Sequence, residues 1–131
     1  MVSTILSIAV GGALGAVSRY GVNMSAIKLF GDDFTHSQIW GTLFVNVLGS
    51  FLMGALVVTF DQLWQPGQNV RLLLLTGFLG AFTTFSAFSL DVSILYERGA
   101  LLPAFGYIVG SVVLSIAALF AGLILVRTLL T

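Results

Sequence analysis

The run Gly77-Phe78-Leu79-Gly80-Ala81-Phe82-Thr83-Thr84-Phe85-Ser86-Ala87-Phe88-Ser89 puts glycines, hydroxyls and aromatic rings inside a long apolar segment. Paired glycines weaken a helix. Hydroxyls in hydrocarbon need hydrogen-bond partners. If the run is one helix, Phe82, Phe85 and Phe88 form an aromatic stripe, and Thr83, Ser86 and Ser89 form a hydroxyl stripe beside it. If the helix breaks near Thr83-Thr84, carbonyls are freed at the end of the first half and N–H groups at the start of the second. Such carbonyls suit a small cation, and such N–H groups and hydroxyls suit an anion. The bland reading is a Phe-rich packing face with its hydroxyls bonded back onto the helix.

Two other segments carry a polar face. Thr42, Asn46, Gly49 and Ser50 recur at i, i+4, i+7 and i+8. Asn46 there is either an interhelical hydrogen bond or a pathway donor. Tyr107, Ser111, Ser115, Ala118 and Gly122 share a second face. All these groups are neutral donors. Asp91, Glu97 and Arg98 fall near the end of the third segment, and the middle of each segment lacks a carboxylate. Such a lining has no acidic ring of the kind found in cation pores. Phenylalanine edges are electropositive. The combination points to an anion or neutral-solute pathway.

The elements that must position these groups follow from composition. The chain has 131 residues, 58% of them hydrophobic, five basic and five acidic, and its mean hydropathy is +1.09. Apolar runs cover about residues 2–22, 39–60, 70–92 and 102–129, each near the ~20 residues that cross a bilayer. They are continuous rather than alternating, which excludes a membrane barrel. The expected fold is an all-α membrane protein, one domain over 1–131 with four transmembrane helices. The first run lacks a basic leader region and reads as a retained span. Gly11 and Gly15 make a small-xxx-small pair for close helix packing, extended by Ser7 and Ser18. Arg19 either snorkels to the interface or lines a vestibule. The polar stretch 23–38 includes Asn23, Lys28, Asp32, Asp33, Thr35 and His36. Within it, 23–30 reads as an interfacial turn of helix and His36, the single histidine, as a solvated loop residue. Pro66-Gly67 marks a turn, and Pro103 suits a first helical turn. With no cysteine, disulfides and thiolate metal sites are excluded. The net charge is zero without a basic run, so nucleic-acid binding has no electrostatic footing. If all four runs span, one side holds Arg71 and Arg127 and the other Arg19, Lys28 and Arg98. That is almost no positive-inside bias, compatible with insertion in both orientations. Four short helices also enclose a pore poorly, which favours an oligomer.

Gly11-Gly12-x-x-Gly15-x-x-x-Arg19-Tyr20, Gly41-Thr42-x-x-Val45-Asn46-x-x-Gly49-Ser50 and Gly77-x-x-Gly80-x-x-Thr83-Thr84-Phe85-Ser86-x-Phe88-Ser89 together resemble the Fluc (CrcB-like) fluoride channels. The likeness runs through all four spans in order, and the third motif is the specific one. It implies a dual-topology homodimer of antiparallel subunits in the bacterial inner membrane, with two pores and a third helix broken near its centre. It implies passive fluoride conduction that protects the cell. HF enters uncharged, ionises inside, and the anion leaves down its gradient. By the same resemblance, Phe85 and Phe88 turn ring edges to fluoride. Asn46 is the pore amide, with Thr42 on its face. Ser86 is a track hydroxyl, and Tyr107, Ser111 and Ser115 are the fourth-helix side of the path. Gly80 and Thr83 lend backbone carbonyls, two from each chain, to a sodium ion at the dimer centre. Arg19 lies toward a vestibule. The chain departs from the pattern at Ala87, where a second hydroxyl is common, and at Asp91, where a glutamate is common.

Two other classes compete. A four-helix multidrug or cation exporter needs a membrane-embedded carboxylate for proton exchange, and the first span and the second before Asp61 have none. A non-conducting assembly subunit accounts for the glycine pairs but not for three polar faces. An enzyme is disfavoured, since neither a nucleophile–base pair nor a metal constellation is visible.

Overall fold

Continuous apolar runs satisfy their backbone polar groups within each segment only as helices, and a bilayer demands that satisfaction. The computed structural model describes residues 1–31 and 34–130, the side chains of Phe34 and Thr35 excepted; Asp32, Asp33 and the Thr35 side chain of the polar stretch lie outside the described residues. Helix α1 covers Val2–Phe30 and α2 covers Phe34–Gln62. Helix α3 begins at Gln68–Arg71, widens to a π-helix over Leu72–Leu79 and closes with Gly80–Phe82. Helix α4 covers Phe85–Glu97 and α5 covers Leu101–Leu130. Four helical stretches are long and apolar enough to cross a membrane, with α3 and α4 together forming the third.

The first helix runs past residue 22, where apolarity fades, to Phe30. Nothing between 22 and 30 stops a helix, for the stretch has neither proline nor glycine. Gly31 ends it with φ of 89°, the left-handed conformation that glycine adopts without a steric cost. Hydropathy marks where lipid ends, not where a helix ends. The expected interfacial turn is therefore a continuation of α1, and His36 sits exposed on the first turn of α2 rather than in a loop.

Glycine contacts set the packing. On α1, side chains at Gly11 and Gly15 would collide with the backbone carbonyls of Leu73 and Phe78. From the other side, Gly77 lies against the Ile8 carbonyl and the Gly11 backbone. The Gly11–Gly15 pair thus does what its spacing predicts, and its partner is the π-helical part of α3. A second seam joins α2 to α5. Gly54 abuts the Leu119 carbonyl, and Gly122 abuts Phe51 and Ala55. Phe60, Leu79 and Val45 are fully buried.

A tryptophan stands near each end of α2, Trp40 within it and Trp64 just past it. Trp40 stacks on Phe30 with centroids 6.1 Å apart, and Trp64 meets Phe60 edge-on at 5.6 Å. Such aromatics mark the levels of the two membrane interfaces. The turn after α2 is tied by Arg71, whose guanidinium donates to the Phe60 carbonyl at 2.7 Å, lies 3.6 Å from Asp61 and covers the Phe60 ring.

Candidate functional site

The third span is broken at Thr83-Thr84. Both residues are extended, with ψ of 157° and 115°. The rings and hydroxyls around the break therefore do not form the two stripes that one continuous helix would give. Phe82 stacks on Phe78 before the break, and Phe85 and Phe88 pair after it.

A broken helix in hydrocarbon exposes backbone groups that must be paired. Asn46 on α2 supplies the partners. Its Nδ2 donates to the Thr84 carbonyl at 3.0 Å, and the Thr84 N–H donates to its Oδ1 at 2.7 Å. The interhelical reading of Asn46 is thus realised in two bonds, with one amide N–H left over by count. Thr84 in turn caps α4. Its hydroxyl accepts from the Ala87 N–H at 3.1 Å and lies 3.2 Å from the Ser86 hydroxyl. Thr83 donates its hydroxyl to the Leu79 carbonyl at 2.9 Å.

These bonds release two other groups. In a continuous helix the Gly80 carbonyl would accept from the Thr84 N–H, and the Thr83 carbonyl from the Ala87 N–H. Asn46 and the Thr84 hydroxyl take those donors instead. Gly80 is also exposed, and a Cβ there would approach nothing nearer than the Leu75 carbonyl at 3.9 Å.

Beside the break lies a cavity of about 430 Å³. Asn46, Phe85, Phe88, Ser111, Ser115 and Thr83 all line it, so six residues singled out in the sequence meet at one place. They come from α2, both sides of the break, and α5. The ring centroids of Phe85 and Phe88 are 5.3 Å apart, tilted by 50°. Phe88 continues to Tyr107 at 5.2 Å. Phe88 is 7% exposed and Phe85 is 77% exposed, so one ring is packed and the other projects from the chain. The Ser111 hydroxyl is buried beside the Tyr107 hydroxyl, without a well-aligned hydrogen bond.

The remaining residues sit elsewhere. Ser86 is exposed and turned to the Thr84 hydroxyl, outside the cavity lining. Arg19 is half-buried on α1, also outside that lining. Tyr107 and Thr42 belong to a cluster around Asp91, a residue for which the sequence pattern gives no role. Asp91 is 3% exposed and accepts from the Tyr107 hydroxyl at 3.0 Å. Thr42, also 3% exposed, sits against both. The single Tyr107 proton is therefore engaged by a carboxylate. The signal for Asp91 was its spacing, three residues beyond Phe88 on the same face of α4, with Tyr107 on the facing helix. Position near the end of a span concealed how deeply it is buried.

The family described as "CrcB-like protein, Camphor Resistance (CrcB)" matches residues 6–123 of this chain. A protein of Agrobacterium fabrum named fluoride-specific ion channel FluC is 52% identical over 126 residues, covering 95% of this chain and 97% of that protein. A protein of the same name from Cereibacter sphaeroides is 51% identical over 127 residues, 97% of each. Another, from Mesorhizobium japonicum, is 48% identical over 126 residues, 95% of this chain and 97% of that one.

Proposed function

The chain belongs to the family of CrcB-like proteins, and on that premise we propose that it is a fluoride-specific ion channel, a multi-pass protein of the bacterial plasma membrane that lets fluoride leave the cell passively. It is a channel and not an enzyme. The observation that carries the pore assignment is the cavity at the helix break, where the Asn46 amide, the Phe85 and Phe88 rings and the Ser111 and Ser115 hydroxyls converge.

Fluoride is small and strongly hydrated, so a path for it must replace water with donors at each step. Ser111 and Ser115 offer O–H groups, and the leftover N–H of Asn46 offers another. Phe85 and Phe88 offer ring edges, whose positive potential suits an anion that cannot find a fourth or fifth hydroxyl. The start of α4 adds the positive end of a 13-residue helix. Thr83 borders this path. Thr42 and Tyr107 act one layer away, through Asp91, and Ser86 and Arg19 stand outside the cavity lining.

Assembly follows from the projecting Phe85. A ring that is 77% exposed at the mouth of the cavity leaves one wall open, and a second copy closes it. An antiparallel homodimer, one cavity per chain, gives two pores. The flat distribution of basic residues supports that arrangement. Gly80 and Thr83 fit a sodium ion at the dimer centre, because their carbonyls have lost their helical donors and Gly80 has no side chain to cover them. When bound, the ion would offset the negative end of α3 and tie the two breaks together.

The deciding experiment is efflux from liposomes holding the purified dimer, with fluoride and chloride measured in parallel. Rapid fluoride release with chloride retained supports the reading. Verified, folded dimers that release no fluoride would end it.

A further inference from the structure

Many hydroxyls on these helices bond back onto their own helix. Ser7, Ser25, Thr59, Thr83 and Ser89 each donate to the carbonyl four residues back. That is the cheapest way to carry a hydroxyl in hydrocarbon. Ser50, Ser111 and Ser115 do otherwise. Ser50 and Ser115 have no hydrogen-bond partner among the described residues, Ser111 has only the Tyr107 hydroxyl beside it, and all three line the cavity at the break. Two of them already belong to the pathway above. Ser50 does not.

Register places Ser50 with them. Gly54 of α2 lies between Leu119 and Leu123 of α5, and Gly122 of α5 lies between Phe51 and Ala55 of α2. Four spans alternate in direction, so α2 and α5 run the same way. One turn earlier on each helix, Ser50 lies between the levels of Ser115 and Leu119. One turn earlier again, Asn46 lies between Ser111 and Ser115. The cavity thus has a staggered row of donors, in the order Ser111, Asn46, Ser115 and Ser50. Past Ser50 its lining turns to Met53 and Leu119, which offer no donor. An anion that has left Asn46 needs replacement donors at the next turn, and a hydroxyl that keeps its proton off its own helix supplies one.

We propose that Ser50 is a conducting donor of the fluoride path, the next step beyond Ser115 along the cavity wall. This rests on the reading that the cavity conducts fluoride. The chain has no cysteine, so Ser50→Cys introduces a single reactive thiol. In liposomes, Ser50→Ala dimers should release fluoride about tenfold more slowly, as the loss of one hydrogen bond to a charged ion predicts. Ser50→Thr, which keeps the hydroxyl, should stay within about threefold of the parent on the same reasoning. The Ser50→Cys thiol should react with a small water-soluble thiosulfonate, and fluoride should slow the reaction. A packing-only role would give none of the Thr rescue, the reactivity or the protection. A parent chain that passes no fluoride overturns the channel reading and this inference with it. A conducting parent with unchanged flux in folded Ser50→Ala, or an unreactive Ser50→Cys, overturns this inference alone.

Discussion

Two regions use the same small residues for opposite ends. Along α1 and the π-helical part of α3, glycines are filled by a neighbour's backbone: Gly11, Gly15 and Gly77 leave no room for a methyl group. At the break, Gly80 stands in open space, and the hydroxyls beside it either hold the break or face a cavity. One region is a seam and the other a vacancy with donors. The difference lies in what stands opposite. Backbone opposite a glycine gives dispersion and close approach. A side-chain amide opposite a broken helix gives a stable interruption, and an interruption in a membrane helix is a place to put an ion.

The contrast can be broken from the seam first. Gly77→Leu drives a side chain into backbone on α1 that cannot yield. The expected cost is about 3 kcal/mol or more, seen as loss of the folded peak on size exclusion in detergent. A folded, conducting Gly77→Leu would show that the seam is looser than its contacts.

Next comes the clamp. Asn46→Leu leaves the Thr84 N–H and carbonyl unpaired, at about 1–3 kcal/mol each. Fluoride efflux should fall by about a hundredfold, with the dimer weakened. Asn46→Asp keeps the acceptor for the Thr84 N–H but sets a carboxylate against the Thr84 carbonyl and against the anion. It should fold better than Asn46→Leu and still conduct poorly. Undiminished flux in Asn46→Asp would remove Asn46 from the path.

The rings come third. Phe85→Ile and Phe88→Ile should each lower fluoride flux by about tenfold while leaving the dimer intact, since they remove an electropositive edge and keep apolar bulk. Normal flux in both would sink the ring-edge proposal. Tyr107→Phe should act mainly on stability, costing about 1–3 kcal/mol by removing the tyrosine donor from the buried Asp91 carboxylate. Denaturant titration of purified protein measures it, and Asp91→Asn, which still accepts a bond, should cost less.

The smallest effect closes the comparison. Gly80→Ala adds a methyl group to open space and keeps its carbonyl, so the fold should hold to within about 1 kcal/mol. Equal damage from Gly80→Ala and Gly77→Ala, read by the same denaturation, would erase the distinction between seam and vacancy.

Much of this was legible in the chain. Long apolar runs dictate spanning helices, because lipid leaves the backbone no other way to pair. The Gly11–Gly15 spacing announces a close helix contact, and the Gly-Thr-Phe-Ser run admits an interrupted helix beside a continuous one. The face Tyr107, Ser111, Ser115, Ala118 and Gly122 is turned inward as its spacing predicts, with Tyr107, Ser111 and Gly122 buried. What the sequence left open were matters of three-dimensional pairing. Periodicity allowed Phe82, Phe85 and Phe88 to be one stripe, and only the bonds from Asn46, 38 residues away from Thr84, decide for a break. The π-helical turn of α3 has no local mark, since its register is set against the glycines of α1. Asp91 reads as a residue near a helix end until Tyr107 is placed over it. Local pattern fixes which atoms are apolar and which face they share, because those depend on neighbours three or four residues away. Which hydroxyls keep a free proton, and which carbonyls lose their donor, depends on groups brought in from other helices, and only the tertiary structure decides that.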